Sequence, residues 1–215
     1  MTVETEAMTV RRPARAWLAG AVGAAVGVAG LTSTAQAAGH FHWWAGFIVV
    51  PGALIAASGA VLLAQGRSTG KGLFGYVTAC AGALVFTVGA LLMVGKMGEG
   101  WPLMISLPAL AVAGTYAWRP EHPLARAFHR MIASLAVAGA ALGVTFVLMN
   151  TGALDLEGDW WGWFMMLGAV LVALNGLELL RHRIEYRLQA VALAIGPAAF
   201  VFLLGLRMAR GAWPY

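Results

Sequence analysis

The residues best suited to chemistry in this chain are carboxylates that stand close together beside long apolar stretches. Asp155, Glu157 and Asp159 fall within five residues, and Glu99 precedes another apolar stretch. Neighbouring carboxylates raise one another's proton affinity, which suits a general acid. These four residues are therefore the candidate catalytic residues. The competing interpretation is a solvated acidic loop.

Two histidines form the most unusual local string, His40-Phe41-His42. Side chains at i and i+2 converge in an extended segment, so His40 and His42 are the candidate metal ligands. Cleavage of a leader after Ala37 would also leave a new terminus with histidine in third place, a donor set that suits Cu(II) or Ni(II). The competing interpretation is an aromatic–histidine anchor at a membrane surface. The sequence identifies no cofactor.

A further acid, Glu178, lies near the end of an apolar stretch, one turn after Asn175. An acid within a membrane span is a functional hypothesis by default. Because Arg181 and His182 follow within a turn, the favoured interpretation is a local ion pair. Three other polar side chains are assigned to a solvated loop: Glu121, His122 and His129.

Long apolar stretches must position these residues. Hydrophobic residues make up 60% of the 215-residue chain and charged residues only 11%. A bilayer core requires about 20 apolar residues per helix. Seven stretches approach that length: 16–37, 43–65, 72–95, 101–118, 131–150, 160–180 and 188–206. The sequence therefore predicts an all-α fold, a polytopic membrane bundle of six or seven transmembrane helices.

The first stretch has two interpretations. Arg11, Arg12 and Arg15 precede an apolar run that ends in small residues with an A-x-A site at 35–37, which is typical of a signal peptide. An uncleaved transmembrane helix is the alternative. Residues 1–42 are accordingly predicted to form a basic segment with a first helix or signal peptide, and residues 43–215 a six-helix transmembrane domain.

The positive charges are distributed unevenly along the linkers. Eleven of the 14 Lys and Arg residues fall on one predicted side of the membrane, leaving Lys96, Arg207 and Arg210 opposite. Short basic loops stay in the cytoplasm. The sequence thus predicts a multi-pass protein of the cell (inner) membrane, with arginine-rich loops cytoplasmic and acidic, tryptophan-rich loops outside. The sequence lacks a basic patch interleaved with aromatic residues, so nucleic-acid binding is not expected. The single cysteine, Cys80, excludes an intramolecular disulfide.

An internal repeat is indicated by matching residues at a fixed interval. Trp44 and Trp101 are 57 residues apart, and Trp161 follows 60 residues later. Two further pairs share the 57-residue interval: Pro51 with Pro108, and Gly95 with Gly152. The pattern predicts three tandem helical hairpins. Chance matching among Gly- and Ala-rich helices is the alternative.

Three classes of function fit these features. The first is a non-catalytic helical subunit or partner-binding module of an envelope complex, because small residues that favour helix association are frequent. The second is a membrane-embedded enzyme acting on a lipid or isoprenoid with the outer carboxylates. The third is a small permease. Expected partners are membrane lipids and either other membrane proteins or further copies of the chain. Whether the protein is an enzyme is left open.

Overall fold

The fold is helical throughout the part of the chain that can be described. In the computed structural model these are residues 3–39, 41–66, 70–118, 120–156, 158–181 and 185–212, with side chains from residue 15 onward. Helices account for 86% of these described residues, and no strand occurs among them. The predicted all-α class is confirmed.

Eight α-helices and three short 3-10 segments follow one another in these described ranges. The α-helices are α1 (Val3–Ala37), α2 (Gly46–Gln65), α3 (Gly70–Met93), α4 (Met97–Gly100), α5 (Leu103–Gly114), α6 (Pro123–Asn150), α7 (Trp160–Glu178) and α8 (Arg187–Ala209). The 3-10 segments are Trp43–Ala45, Thr115–Ala117 and Leu179–Arg181, and each adjoins an α-helix.

Six of the helical stretches are long and apolar enough to cross a membrane. They contain 22 to 28 residues each, and they lie at Arg15–Ala37, Trp43–Gln65, Gly70–Met93, Pro123–Asn150, Trp160–Arg181 and Arg187–Ala209. Large apolar side chains are widely exposed on them, whereas the buried apolar residues are mostly alanines. Soluble proteins bury their large apolar side chains, so exposing them, as this chain does, suits lipid surroundings. The chain is a multi-pass membrane protein.

The fourth predicted span differs from the prediction. Residues 101–118 were expected to cross as one helix, but the apolar helix there covers only Leu103–Ala117. The next helix, α6, begins at Pro123, which is eight residues before residue 131, the predicted start of the fifth span. Proline is favoured in the first turn of a helix, where its missing N–H costs nothing, and this explains the early start. His129 and Arg130 consequently lie on α6 and not in a loop.

The chain divides into two compact units, Met1–Met104 and Ile105–Tyr215. The first contains α1 to α4, and the second contains most of α5 together with α6 to α8. The predicted boundary after residue 42, between a leader or first helix and the remainder, stays a prediction.

Within the first unit, α2 and α3 pack with their backbones in close contact. A Cβ atom added to Gly82 would lie 2.1 Å from the amide nitrogen of Ala56, and one on Gly59 would lie 2.2 Å from that of Ala79. Gly52, which is buried, faces the backbone of Phe86 in the same way. Apolar lipid gives helices no hydrophobic reason to associate, so close approach at small residues holds such pairs together.

The helix pairs of the second unit differ in spacing. In α7 and α8, a Cβ atom on Gly162 would lie 2.4 Å from the carbonyl oxygen of Gly205, so these backbones are also in contact. Between α5 and α6 the approach is wider, because a Cβ atom on Gly139 would meet Ala109 Cβ at an ordinary 3.5 Å. Buried Ser106 connects this pair, since its hydroxyl donates to the carbonyl oxygen of Ala140 at 3.5 Å.

The return helices of all three hairpins end in the same backbone motif. Gly95, Gly152 and Gly211 have φ of 67°, 71° and 64°, which glycine adopts without strain. Each donates its N–H to the carbonyl three residues earlier, and the following residue donates to the carbonyl five residues earlier. This is a Schellman cap. The predicted repeat thus has equivalent local structure at these three ends, and superposition of whole hairpins stays a prediction.

The contrast between Gly82 and Gly139, which are 57 residues apart, gives a stability prediction. Gly82→Ala should lower the free energy of unfolding by about 1–3 kcal/mol, because the new methyl group overlaps the α2 backbone. Gly139→Ala should change it by less than about 1 kcal/mol, because the space is open and alanine favours helix. Thermal unfolding of both variants in detergent measures the difference. Equal losses would mean that the two hairpins pack equally tightly.

Candidate functional site

The predicted catalytic residue Glu99 is engaged in an ion pair at the surface. It lies on the short helix α4, and its Oε1 is 2.6 Å from Lys96 Nζ. Both side chains are more than half exposed, at 56% and 55%. An exposed pair of this kind is screened by water and contributes little energy.

The remaining predicted acids belong to the second unit. Asp155 and Asp159 are exposed, and Glu157 lies outside the described residues. Asp159 precedes α7 as its N-cap residue, but its carboxylate makes no capping hydrogen bond. Glu99 is in the other unit, so the predicted convergence of these carboxylates stays a prediction.

Of the two predicted metal ligands, only His42 is described, and His40 lies outside the described residues. His42 precedes the 3-10 turn Trp43–Ala45 in extended conformation, and its ring meets Trp44 edge to face. Its backbone N–H donates to the carbonyl oxygen of Met93 at 3.0 Å. Over the described ranges, no group of three or more His, Cys, Asp or Glu side chains could hold a metal ion. The metal site stays a prediction.

The structure brings a different set of polar residues together inside the second unit. We call it the α6–α7 polar cluster. Its members are Thr115, Tyr116, His129, Arg130, Ser134, Asn175 and Glu178. They come from the 3-10 segment after α5, the first half of α6 and the end of α7. All seven are half-buried.

An ion pair between helices is the strongest interaction of the cluster. The Arg130 guanidinium on α6 pairs with Oε1 of Glu178 on α7, with about 30% of each side chain exposed. Tyr116 is a second neighbour of this guanidinium. The sequence interpretation of Glu178, a local pair with Arg181, is wrong, and His182 lies outside the described residues. A partner one helix away is preferred because it neutralises both charges at the apolar interface of α6 and α7.

The hydrogen-bond pattern fixes the proton on His129. Thr115 Oγ1 donates its single proton to the carbonyl oxygen of Val112 at 2.6 Å. The same oxygen lies 3.0 Å from His129 Nε2, so that nitrogen must carry a hydrogen and donate it to Thr115. The histidine ring also stacks obliquely on Tyr116, with ring centroids 6.1 Å apart. His129 therefore connects α6 to the end of the preceding helix and is not a solvated loop residue.

A second bridge between α6 and α7 lies deeper along the helices. Asn175 Nδ2 donates to Ser134 Oγ at 3.1 Å and to the carbonyl oxygen of Leu171 at 2.7 Å. Ser134 Oγ in turn donates to the carbonyl oxygen of Met131. Every donor of these two groups is thus used within the protein. Within the α6–α7 polar cluster these two side chains are therefore satisfied, whereas Nε of Arg130 is a buried donor without a hydrogen-bond partner.

One sequence signal could have identified the α6 members of this cluster. Arg126, His129 and Arg130 are spaced at i, i+3 and i+4, which places them on one helical face. Arg126 turns back to the preceding loop, donating from Nε to the carbonyl oxygen of Pro120 at 3.1 Å and from NH2 to that of Glu121 at 2.9 Å. The signal was missed because the helix was predicted to start at residue 131.

The first unit contains an apolar groove beside α1, which we call the α1 groove. Its volume is about 680 Å³, and it is lined mainly by small residues of three helices. Representative lining residues are Gly23 and Gly27 of α1, Ala57 and Ala60 of α2, and Phe86 and Thr87 of α3. The Thr87 hydroxyl donates to the carbonyl oxygen of Ala83 in its own helix, at 2.8 Å. The groove therefore presents almost no unsatisfied polar group.

The glycines of α1 differ from those of α2 and α3. A Cβ atom added to Gly23, Gly27 or Gly30 would meet nothing within 4 Å. Only 6% of the membrane-crossing window of α1 is buried, against 17–28% for the other five long helices. Gly20 packs against Val61 of α2, where an added Cβ atom would lie 3.0 Å from a methyl carbon, but from Gly23 onward the small-residue pattern that joins α2 to α3 is left open on α1.

Comparison with known proteins assigns neither a family nor a function to the chain. No family model matches the chain, and no curated protein or solved structure matches it either. The fold defines its class as an all-α, multi-pass membrane protein.

The two ion pairs provide a matched test of the cluster. Glu178→Gln should lower the free energy of unfolding by about 1–3 kcal/mol, because it leaves the half-buried Arg130 charge unpaired. Glu99→Gln should lower it by less than about 1 kcal/mol, because that pair is exposed. Thermal unfolding in detergent measures both.

Combining Glu178→Gln with Arg130→Gln should recover part of the loss, since the double variant carries no unpaired charge. A loss for Glu178→Gln no larger than that for Glu99→Gln would contradict the interhelical pairing.

Proposed function

We propose that this protein is a non-catalytic helical subunit of a membrane-protein assembly, and that α1 is the element that binds its partner. The observation that carries the proposal is the open glycine face of α1 beside the α1 groove. In a bilayer, a face of small residues lets another helix approach closely enough for its backbone to make van der Waals contact. The occupant we propose is a transmembrane helix of a partner protein.

The contrast within the first unit supports a helix as the occupant. Where glycines meet a helix of the same chain, as Gly82 meets Ala56, they permit backbone contact. Gly23 and Gly27 are four residues apart on one face of α1, in the spacing that joins membrane helices, yet nothing fills the space beside them. The groove wall continues onto α2 and α3, so a helix lying there would contact all three.

The state of the polar residues supports the same function over the two alternatives. An enzyme using the outer carboxylates would need acids held away from water, whereas Glu99 is ion-paired and Asp155 and Asp159 are exposed. A permease would need polar groups free to bind a passing substrate, whereas Asn175 and Ser134 satisfy one another. A non-catalytic subunit requires neither arrangement.

Substitutions on two faces of α1 test the proposal. Gly23→Leu and Gly27→Leu fill the groove and should weaken partner binding by at least about tenfold, or 1.4 kcal/mol. Val22→Leu and Val26→Leu are the controls, because both valines are exposed on another part of the helix and leucine adds little volume. The measurement is the amount of complex recovered by native electrophoresis after mild solubilisation of the source membrane.

Retention of the complex by all four variants would exclude α1 as the contact. A wild-type chain that migrates alone would exclude the subunit proposal, and one that migrates as a homo-oligomer would replace the partner protein with a second copy.

For location, we propose the cell membrane, with the arginine-rich loops in the cytoplasm. The support is the charge asymmetry, because eleven of the 14 basic residues fall on one predicted side of the membrane. The positive-inside rule assigns the side with more basic residues to the cytoplasm. The 15 residues of Leu103–Ala117 must cross for that asymmetry to hold, because otherwise the basic residues of α6 and those before α1 would lie on opposite sides.

Cysteine labelling in intact cells tests this orientation in a Cys80→Ala background. Gly98→Cys and Asp155→Cys should react with a membrane-impermeant maleimide, because both positions are exposed and lie on the proposed outer side. Glu121→Cys and Glu185→Cys should react only after permeabilisation. Gly152 is a poor probe position because its φ of 71° disfavours any side chain. Labelling of Glu121→Cys in intact cells would show that Leu103–Ala117 does not cross.

A further inference from the structure

A small cavity at one end of the second unit combines an apolar floor with charged groups of both signs. Its volume is about 270 Å³, and it is lined by residues of α6, of the 3-10 segment Leu179–Arg181 and of the described chain from Glu185 into α8. The floor includes Leu124, Leu179 and Leu193, and the rim includes Glu185, Arg187 and Gln189. Its position at helix ends places it at the boundary between hydrocarbon and headgroups.

The floor is continuous with surface that faces lipid. Leu179 is buried at 3% exposure and packs with Ala127 and Val191 in a local core. Leu193, which lines the same cavity three residues beyond Ala190, is 74% exposed. An acyl chain lying along α8 can therefore extend from bilayer to cavity without crossing a polar surface. A water-soluble ligand would gain nothing from this arrangement.

The rim carries one positive and one negative side chain that are not paired with each other. Glu185 and Arg187 are exposed, and the ion pairs found in the described part of the chain involve neither. They stand two residues apart on either side of Tyr186. Such a rim complements a headgroup that itself has neighbouring charges of opposite sign.

We infer that this cavity binds a zwitterionic phospholipid, with the beginning of one acyl chain on the apolar floor and the headgroup at the rim, its phosphate at Arg187 and its ammonium at Glu185. The guanidinium is a preferred partner for phosphate. The cavity is slightly smaller than the ~300–1,000 Å³ typical of small-molecule sites, which suits a headgroup with the beginning of one chain. Gln189 adds an amide donor and acceptor to the rim. The inference concerns the second unit alone and does not depend on the proposed partner of α1.

Native mass spectrometry of the full chain tests the site, after release from nanodiscs of equal parts dioleoyl-phosphatidylethanolamine and dioleoyl-phosphatidylglycerol. Wild type should retain the ethanolamine lipid about tenfold more than the glycerol lipid, a difference of about 1.4 kcal/mol. Glu185→Gln should abolish that preference while leaving some phospholipid bound. Arg187→Gln should reduce retention of both lipids. Arg210→Gln, at the opposite end of α8, is the control and should leave both unchanged.

The remaining outcomes overturn the inference. A preference for the glycerol lipid that Glu185→Gln leaves intact would indicate a basic site and not a zwitterionic one. Equal effects of Arg210→Gln and Arg187→Gln would indicate general surface charge. Glycerophosphoethanolamine, which has the headgroup without acyl chains, should fail to displace the lipid. Displacement by this compound would mean that the apolar floor contributes nothing.

Discussion

Hydrocarbon offers two helices neither hydrogen-bond partners nor a hydrophobic gain when they meet, and the internal packing of this protein follows from that constraint. The α2–α3 pair solves it with glycines that remove side chains from the interface, so the backbones themselves touch. The α7–α8 pair does the same at Gly162 and Gly205. Buried residues are accordingly small, and the large apolar side chains point outward.

Polar groups obey the same constraint in a different way. Arg130 and Glu178, which would each be costly in an apolar setting, neutralise one another across two helices. Asn175 donates a hydrogen bond to Ser134 nearby. These interactions have direction, unlike the packing of methyl groups, so they also fix the rotation of α6 against α7. Between α6 and α7, specificity of packing comes from polar contacts, whereas in the α2–α3 and α7–α8 pairs it comes from glycine contacts.

Much of the fold could be predicted from composition and spacing, because membrane helices must be long, apolar and bounded by characteristic residues. The α-helical class, most spans and the glycine ends at residues 95 and 152 follow from such patterns. Two features of the structure could not be predicted in this way. The start of α6 at Pro123 was missed because its first turns are charged and score poorly as membrane span. The Arg130–Glu178 pair joins residues 48 positions apart, and one sequence contains no signal for the rotation that brings two helices face to face.

The short helix Leu103–Ala117 has a consequence for the membrane itself. Fifteen residues at about 1.5 Å rise extend only ~23 Å, whereas an average hydrocarbon core is ~30 Å thick. Trp101 and Trp118 flank this helix, and such rings settle at the headgroup level. If this helix crosses, as the proposed orientation requires, the bilayer is drawn inward by roughly 7 Å along this edge, an elastic deformation that costs fractions of a kcal/mol per ångström. Thin membrane regions, and neighbours with equally short spans, would then relieve that cost and favour lateral sorting of this chain by membrane thickness.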